Sequence, residues 1–255
     1  MTSSKHVLQV FTENLPFPVV NTKRNVGKAL CDQYSQLRQS IHVCTINAEI
    51  AHRLLNDKRS QQSLRSVNYF IPDGIGVALA CKYLFGVDAG KLPGIEFSED
   101  LMKECQLRSW NVALYGATDD CVLRASKYLT NKFQGLHIAA VLDGYSDLNA
   151  VNSFVFKCQD ECVKVVLVAL GHPAQDEFIF KNLDLLPAIW VGVGGSFDVW
   201  SGSKKRSPKF ISLLGLEWIY RILQDPSPAR LKRSLDLPAF CFDMLFYRFK
   251  SLRRG

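Results

Sequence analysis

Short apolar runs alternate with longer stretches of helical spacing over roughly the first 220 residues. The apolar runs predict strands at 42–47, 67–71, 111–116, 136–141, 164–170 and 188–193. Several of these runs are continuously apolar, as expected for strands that are covered on both faces. The stretches between them predict helices at 48–59, 75–85, 96–107, 118–133, 148–161 and 174–183. This order predicts an α/β fold, in which a Rossmann-like, mostly parallel sheet is flanked by helices.

The pattern changes after Gly195. A polar, basic and turn-rich segment is followed by a strongly apolar stretch with helical spacing at 211–224, and then by a basic stretch rich in phenylalanine. We therefore predict a Rossmann-like domain over residues 1–210 and a helical appendage over residues 211–255. The basic and aromatic appendage suits association with an anionic membrane surface. The alternative is that its aromatic residues pack on the sheet domain while its charges face water.

The composition is that of a soluble globular protein, with 47% hydrophobic and 22% charged residues in a chain of 255. No run approaches the roughly 18 apolar residues that a membrane span needs. The amino-terminal stretch also lacks the apolar core of a signal peptide, so we expect a cytoplasmic protein. The net charge is +7, and the segment from Arg221 onward holds eight basic and three acidic residues. The basic character therefore belongs mainly to the appendage.

Polar and glycine residues follow five of the predicted strands, at the position where open parallel sheets bind ligands. These segments lie at 45–47, 72–76, 116–120, 171–177 and 194–198. Glycine lets backbone N–H groups approach an anion, and the N-terminus of a following helix adds its dipole. The pattern predicts a nucleotide site that includes Gly116, Ala117, Gly194, Gly195 and Asp198.

The segment "IPDGIGV" at 71–77 allows two interpretations of Asp73. This carboxylate could cap the following helix, or it could act in catalysis. Gly74 and Gly76 fit part of a dinucleotide fingerprint, but Leu79 stands where the third glycine belongs. An NAD(P)-dependent sugar-nucleotide dehydrogenase or epimerase is thus one alternative function, and a non-enzymatic nucleotide-binding or nucleic-acid-binding module is another. His172 is expected to be exposed and isolated, which argues against a catalytic role.

Four segments together resemble the WecG/TagA/CpsF family of bacterial glycosyltransferases: "TINAEIAHRL", "PDGIGVALACKYLFG", "GHPAQDEFI" and "GVGGSFDVWSGSKKRSPKFISLLGLEWIYRILQDP". The resemblance covers roughly residues 10–235. It implies transfer of N-acetylmannosamine, or its uronic acid, from a UDP-sugar to N-acetylglucosamine that is linked through diphosphate to undecaprenol. The product would be an intermediate of cell-surface polysaccharide synthesis. The resemblance implies no metal and no cofactor besides the UDP-sugar donor.

The resemblance also implies roles for individual residues. Asp73 aligns with the family's proposed base, Thr45 and Asn47 with its active-site threonine and asparagine, and Gln175 with its glutamine. Lys91 aligns with an active-site arginine; lysine keeps the charge but lacks the planar fork that binds a diphosphate through two hydrogen bonds. The arginines of the family's appendage, which would hold the lipid diphosphate, are matched by Arg221, Arg230 and Arg233.

The residue chemistry agrees with an inverting transferase. Such an enzyme needs a carboxylate that takes a proton from the acceptor hydroxyl, and Asp73 supplies one. It also needs cations or N–H groups that hold the departing diphosphate, which Lys91, the glycine turns and the appendage arginines could supply. The strand-end acids contain no D-x-D pair, so no metal is expected. A lipid acceptor predicts a peripheral protein on the inner face of the cell membrane and no nucleic-acid partner, while a homo-oligomer stays open.

Overall fold

A computed structural model describes residues 22, 25–208, 211, 217–224 and 236–252. Within these ranges the strands are β1 (Ile41–Ile46), β2 (Tyr69–Pro72), β3 (Val112–Gly116), β4 (Ile138–Leu142), β5 (Val165–Ala169) and β6 (Ile189–Gly192). The helices are α1 (Val26–Leu37), α2 (Ala48–Asn56), α3 (Lys58–Ser63), α4 (Ile75–Phe85), α5 (Gly94–Leu107), α6 (Asp119–Lys132), α7 (Leu148–Asp160), α8 (Ala174–Asn182), α9 (Ser196–Trp200), α10 (Glu217–Gln224) and α11 (Asp236–Leu252).

The strands form one six-stranded sheet in the order β2-β1-β6-β5-β3-β4, and every neighbouring pair is parallel. The predicted α/β fold with a mostly parallel sheet is therefore confirmed. The carboxyl ends of all strands lie at one end of such a sheet, which we call the carboxyl end. The register pairs Thr45 with Ile71 and Cys44 with Gly192, so the ends of β2, β1 and β6 lie side by side.

Alternate residues of each strand pack against helices on opposite faces of the sheet, because successive side chains of a strand point in opposite directions. Val43, Leu114 and Leu167 face a core that includes α1, α5, α6 and α9. On the other face, Val166 packs with α7 and α8, while Ile46 packs with α2, α4 and α11. Both faces of the central strands are therefore buried, which explains their continuous apolar runs.

The structure corrects the predicted helices in three places. The amino-terminal helix α1 was not predicted; Asn25 caps it by accepting a hydrogen bond from the N–H of Lys28 at 2.9 Å. The helix predicted at 48–59 is broken at Asp57, whose side chain caps α3 by accepting from the N–H of Ser60 at 2.8 Å. Helix α9 has only five residues, which is too short for a periodic signal.

Helix α11 of the predicted appendage packs on α2 and α4. Phe240 is buried with Ile46 and Val77, whereas Phe242 and Phe246 are exposed. Phe240 thus fits the interpretation in which aromatic residues pack on the sheet domain, whereas Phe242 and Phe246 are available for a membrane surface. The domain boundary at residue 210 stays a prediction. Among the described residues, no helix is long and apolar enough to cross a membrane.

Candidate active site

Asp73 lies directly after β2 at the carboxyl end of the sheet. Its N–H donates to the carbonyl of Ile46 at 2.8 Å, and its carboxylate accepts a hydrogen bond from the N–H of Gly94 at 3.1 Å. The N-cap of α4 is Gly74 (φ +133°), with no side-chain capping bond. The helix-cap interpretation of Asp73 is therefore wrong. The carboxylate instead faces the first residue of α5, where a helix N-terminus favours negative charge.

Thr45 lies beside Asp73 on the neighbouring strand β1. Its hydroxyl is buried and donates to the carbonyl of Gly192 at 3.1 Å. Gly94 packs tightly on Thr45, since a Cβ on Gly94 would lie 3.1 Å from the threonine side chain. The glycine thus allows α5 to begin close enough to donate its N–H to Asp73.

Gln175, in the first turn of α8, is buried against the turn that follows β6. Its side-chain oxygen accepts from the N–H of Gly194 at 3.1 Å. A Cβ on Gly192 would lie only 2.4 Å from the side-chain nitrogen of Gln175, so a larger residue would displace the amide. Gly192 also accepts from Thr45, and it therefore links Gln175 to the cluster around Asp73.

Asn47 has a structural role in this arrangement. It is the N-cap of α2, and its side-chain oxygen accepts from the N–H of Ile50 at 2.9 Å. This bond satisfies one of the N–H groups that the first turn of a helix leaves without a backbone partner. The capping bond uses the amide oxygen, so a catalytic role of Asn47 would fall to the amide nitrogen and stays a prediction.

Lys91 connects the site to α10. The N–H of Leu92 donates to the carbonyl of Pro72 at 2.9 Å, which holds this segment beside the end of β2. The ammonium group of Lys91 forms an ion pair with Glu217, the first residue of α10, at 2.8 Å. Both side chains are largely shielded from solvent. Lys91 thus lies on a segment that is bonded next to Asp73, and Glu217 of the predicted appendage pairs with its ammonium group.

A buried polar network lies next to Gln175. Asp176 contacts Nδ1 of His172 at 2.9 Å and lies 3.4 Å from Nε2 of His42. Nε2 of His172 is also 2.9 Å from the hydroxyl of Ser60. The side chain of His172 is only 3% exposed, so the expectation that it is exposed and isolated is wrong. These contacts connect the segment before α8 with Ser60 of α3.

The ionisation of Asp176 reflects this network. Burial alone would raise the pKa of Asp176, but the contacts with His172 and His42 outweigh burial and hold the pKa below its usual value. Burial also raises the pKa of the Cys44 thiol well above its usual value, and the nearby carboxylates of Asp176 and Asp73 add to this rise. The carboxylates of Asp176 and Asp73 therefore both lie close enough to β1 to raise the pKa of Cys44.

A profile of the WecG/TagA/CpsF glycosyl transferase family matches residues 13–254, which is most of the chain. This protein belongs to the WecG/TagA/CpsF family.

The sequence is also similar to curated relatives that are named N-acetylglucosaminyldiphosphoundecaprenol N-acetyl-beta-D-mannosaminyltransferase. The relative from Bacillus spizizenii is 33% identical over 208 residues, which cover 81% of this chain and 79% of the relative. The relative from Bacillus subtilis is 32% identical and covers 80% of this chain and 78% of its own length. The relative from Staphylococcus aureus strain MW2 is 29% identical, with coverage of 82% and 81%. These matches agree with a transferase and do not favour a dehydrogenase or epimerase.

The turns that were predicted to bind the donor of this glycosyl transferase adopt left-handed backbone conformations. Gly116 has φ +121°, and a Cβ there would lie 2.5 Å from the carbonyl oxygen of Ala169. Ala117 has φ +57°, and its N–H donates to the same carbonyl at 3.0 Å. The N–H of Gly194 is likewise taken by Gln175. These hydrogen bonds fix the shape of the turns. The N–H groups of Ala117 and Gly194 are already used in them, so a donor bound there would have to contact other atoms of the turns.

The structure describes only some of the other residues that were predicted to bind substrate. Gly195 is the N-cap of α9, and Asp198 lies within this helix. The carboxylate of Asp198 accepts from the ammonium of Lys204 at 2.6 Å. Arg221 lies in α10, but its side chain is outside the described residues, as are Arg230 and Arg233 entirely. The binding roles of all these residues stay predictions.

Sequence reasoning missed two groups that complete the site. Gly94 donates its N–H to Asp73, and Glu217 fixes Lys91. Glu217 lies within the last of the segments that resemble the family, and Gly94 follows Lys91 by three residues. These two contacts could not be predicted from the sequence, because Gly94 is 21 residues from Asp73 and Glu217 is 126 residues from Lys91.

Proposed function

We propose that this protein is an inverting glycosyltransferase that moves N-acetylmannosamine, or a closely related sugar, from a UDP-sugar to the N-acetylglucosamine of an undecaprenyl-diphosphate lipid. The proposal places the reaction in cell-surface polysaccharide synthesis, without a metal or another cofactor. The observation that carries it is the group of side chains at the carboxyl end of the sheet: Asp73 after β2, Thr45 on the neighbouring strand β1, and Gln175 against the turn after β6. The names of the relatives support the choice of acceptor.

Asp73 would act as the general base. The acceptor hydroxyl attacks the anomeric carbon of the donor sugar, and the bond from that carbon to the UDP oxygen breaks with its electron pair leaving on UDP. The proton of the hydroxyl passes to the carboxylate. The N–H of Gly94 holds this carboxylate in a fixed position, which lowers the cost of orienting it for attack.

The departing UDP carries negative charge, and this charge requires nearby donors or cations. Lys91 is the cation that the described structure brings beside the end of β2. Its pairing with Glu217 offsets part of the charge that it offers to a diphosphate. We propose that the predicted appendage arginines Arg221, Arg230 and Arg233 complete the positive environment, because a single paired lysine is a weak site for a diphosphate.

The acceptor lipid requires a protein that works at a membrane surface. Helix α11 exposes Phe242, Leu245 and Phe246, and the chain ends with further basic residues. Exposed aromatic residues beside basic ones favour the interface of an anionic bilayer. We propose that the protein is peripheral and acts on the cytoplasmic face of the cell membrane, where UDP-sugars are available.

Replacing Asp73 with Asn tests the proposed base. Asn keeps an oxygen that can accept from the N–H of Gly94, so the fold of the site should be retained. Because general-base catalysis contributes about 100-fold or more, we expect kcat to fall by at least about this factor, with binding of the UDP-sugar largely unchanged. Turnover is measured by mass spectrometry with a lipid-diphosphate N-acetylglucosamine acceptor, and donor binding by calorimetry.

Asp184→Asn is a matched control, since Asp184 is an exposed acid that precedes β6 at the opposite end of the sheet. It should retain full activity. If Asp73→Asn also retained full activity, Asp73 could not be the base. Titration with NADH separates the dehydrogenase alternative, because the proposed transferase should give no saturable binding.

A further inference from the structure

Helix α4 is apolar around its whole circumference. Its sequence is "IGVALACKYLF", in which Lys82 is the only charged residue. One side of the helix is buried against the sheet and α11 through Val77, Ala80 and Cys81. A surface helix of a soluble protein normally presents polar residues on its other side. The exposed side of α4 therefore needs an explanation.

That exposed side carries three large apolar residues at a spacing of four. Ile75, Leu79 and Tyr83 are 37%, 56% and 49% exposed. Residues at this spacing lie on one side of a helix, and with a rise of about 1.5 Å per residue the three extend over about 12 Å. A protein gains nothing in solution from such an apolar stripe, whereas a bound apolar ligand would remove it from water.

The stripe begins at the candidate active site. Ile75 follows Asp73 by two residues, and Gly74 turns the chain directly from the end of β2 into α4. The proposed acceptor is an amphiphile with a sugar diphosphate at one end and a polyprenyl chain at the other. When its sugar hydroxyl reaches Asp73, its apolar chain begins beyond the sugar ring and the diphosphate and must run along a neighbouring surface.

We propose that Ile75, Leu79 and Tyr83 form a track that binds the first isoprene units of the acceptor's polyprenyl chain. This inference rests on the proposed function, and it adds a determinant of specificity for the lipid part of the acceptor. Contact with the track would favour long polyprenyl acceptors over short ones, because each apolar group that leaves water adds to affinity.

The surroundings of α4 fit a lipid chain. The helix contains no carboxylate that an apolar ligand would desolvate, and exposed Lys82 can extend its ammonium toward phosphate groups while its methylenes cover the stripe. Helix α11 begins next to the track, since a Cβ on Gly76 would lie 3.9 Å from Leu237. The exposed phenylalanines Phe242 and Phe246 lie farther along this same helix.

The test compares two acceptors in detergent micelles, which remove the bilayer as a variable. One is N-acetylglucosamine-diphosphoundecaprenol, and in the other, short acceptor a methyl group replaces the polyprenyl chain. We expect the ratio of kcat/KM for the long acceptor to that for the short one to fall about tenfold in Leu79→Gln, as removal of one large apolar contact predicts. Leu79 is exposed and Gln is a good helix former, so this variant should fold.

Leu123→Gln is the matched control, because Leu123 is 52% exposed on α6 at the other face of the sheet. It should keep the wild-type ratio. An unchanged ratio in Leu79→Gln would overturn the track. If that unchanged ratio came with weaker binding to anionic vesicles, the stripe would contact the bilayer instead; if it came with a changed sedimentation velocity, the stripe would contact a second copy of the chain. Failure of the wild-type protein to transfer sugar to either acceptor would instead overturn the proposed function.

Discussion

Asp176 is a buried carboxylate that adjoins the candidate site. Its side chain is fully buried between His42 and His172, and it follows Gln175, whose amide holds the turn after β6. The hydroxyl of Ser60 donates to Asp57 at 2.7 Å, so it is an acceptor for His172. Both ring nitrogens of His172 therefore face acceptors, which fixes the orientation of the ring beside Asp176.

Replacing Asp176 with Asn should destabilise the protein by about 3 kcal/mol at neutral pH, because an amide cannot accept from both sides in this buried site as the carboxylate does. The folded pKa of Asp176 is lowered, so its contribution is present above the unfolded pKa of about 3.9 and is lost as pH falls through the folded pKa. The difference between wild type and variant should thus shrink below about pH 4. Urea denaturation across this pH range measures it.

Asp184→Asn is again the control, since an exposed acid should change the free energy of unfolding by less than about 0.5 kcal/mol. A difference for Asp176→Asn that stayed constant down to pH 3 would contradict the assigned ionisation.

At the scale of elements, α11 is the part of the predicted appendage that the structure attaches to the sheet domain. Phe240 and Met244 fill a core with α2 and α4. Polar pairs flank this core, because Arg53 contacts Asp236 at 3.0 Å and His52 contacts Asp243 at 2.7 Å. The opposite side of α11 remains exposed. The helix can therefore be held on the protein by one side while the other contacts a membrane.

Phe240 and Phe242 provide a matched pair for separating these two sides, since they are 2% and 72% exposed. Phe240→Ala removes a buried ring, which costs about 3–5 kcal/mol in a rigid core, and should release α11 to limited proteolysis. Phe242→Ala should leave proteolysis unchanged and weaken binding to anionic vesicles severalfold. Equal effects of the two changes on proteolysis would contradict the packing of α11.

At the scale of the whole molecule, charge is distributed unevenly along the chain. The segment from Arg221 onward carries +5 of the total +7, and the sheet domain is close to neutral. This asymmetry would orient the protein on an anionic bilayer with α11 toward the lipid. An oriented protein would bring the carboxyl end of the sheet near lipid-linked acceptors.

Replacing Arg253 and Arg254 with Gln should weaken binding to anionic vesicles by about 30-fold, at about 1 kcal/mol for each charge near the surface. The control is the double change Lys103→Gln and Lys127→Gln, which removes the same charge from exposed positions on α5 and α6. Vesicle sedimentation at low and high salt distinguishes the two double variants, because only the change of Arg253 and Arg254 should reduce the salt dependence of vesicle binding. Equal losses in both double variants would mean that net charge, and not its position, governs binding.

Much of the architecture could be predicted because burial leaves a local pattern. Strands that are covered on both faces read as continuous apolar runs, so β5 was located to within a residue of its ends. Helix α1 was missed although its signal was present, since Asn25 precedes apolar residues at helical spacing. The break at Asp57 was missed because a cap is a hydrogen bond of one side chain and leaves no period in the sequence.

The sequence by itself determined the α/β class, the strand-end polar residues and the family, since each of these depends on local composition or on ordered motifs. Only the tertiary structure decided what Asp73 contacts. Its partner Gly94 comes from the start of α5, while Thr45 and Gln175 arrive from β1 and α8 because the strand order places β1, β6 and β5 next to one another. The same packing buried His172. Contacts between distant residues depend on strand order and packing, which no local pattern records.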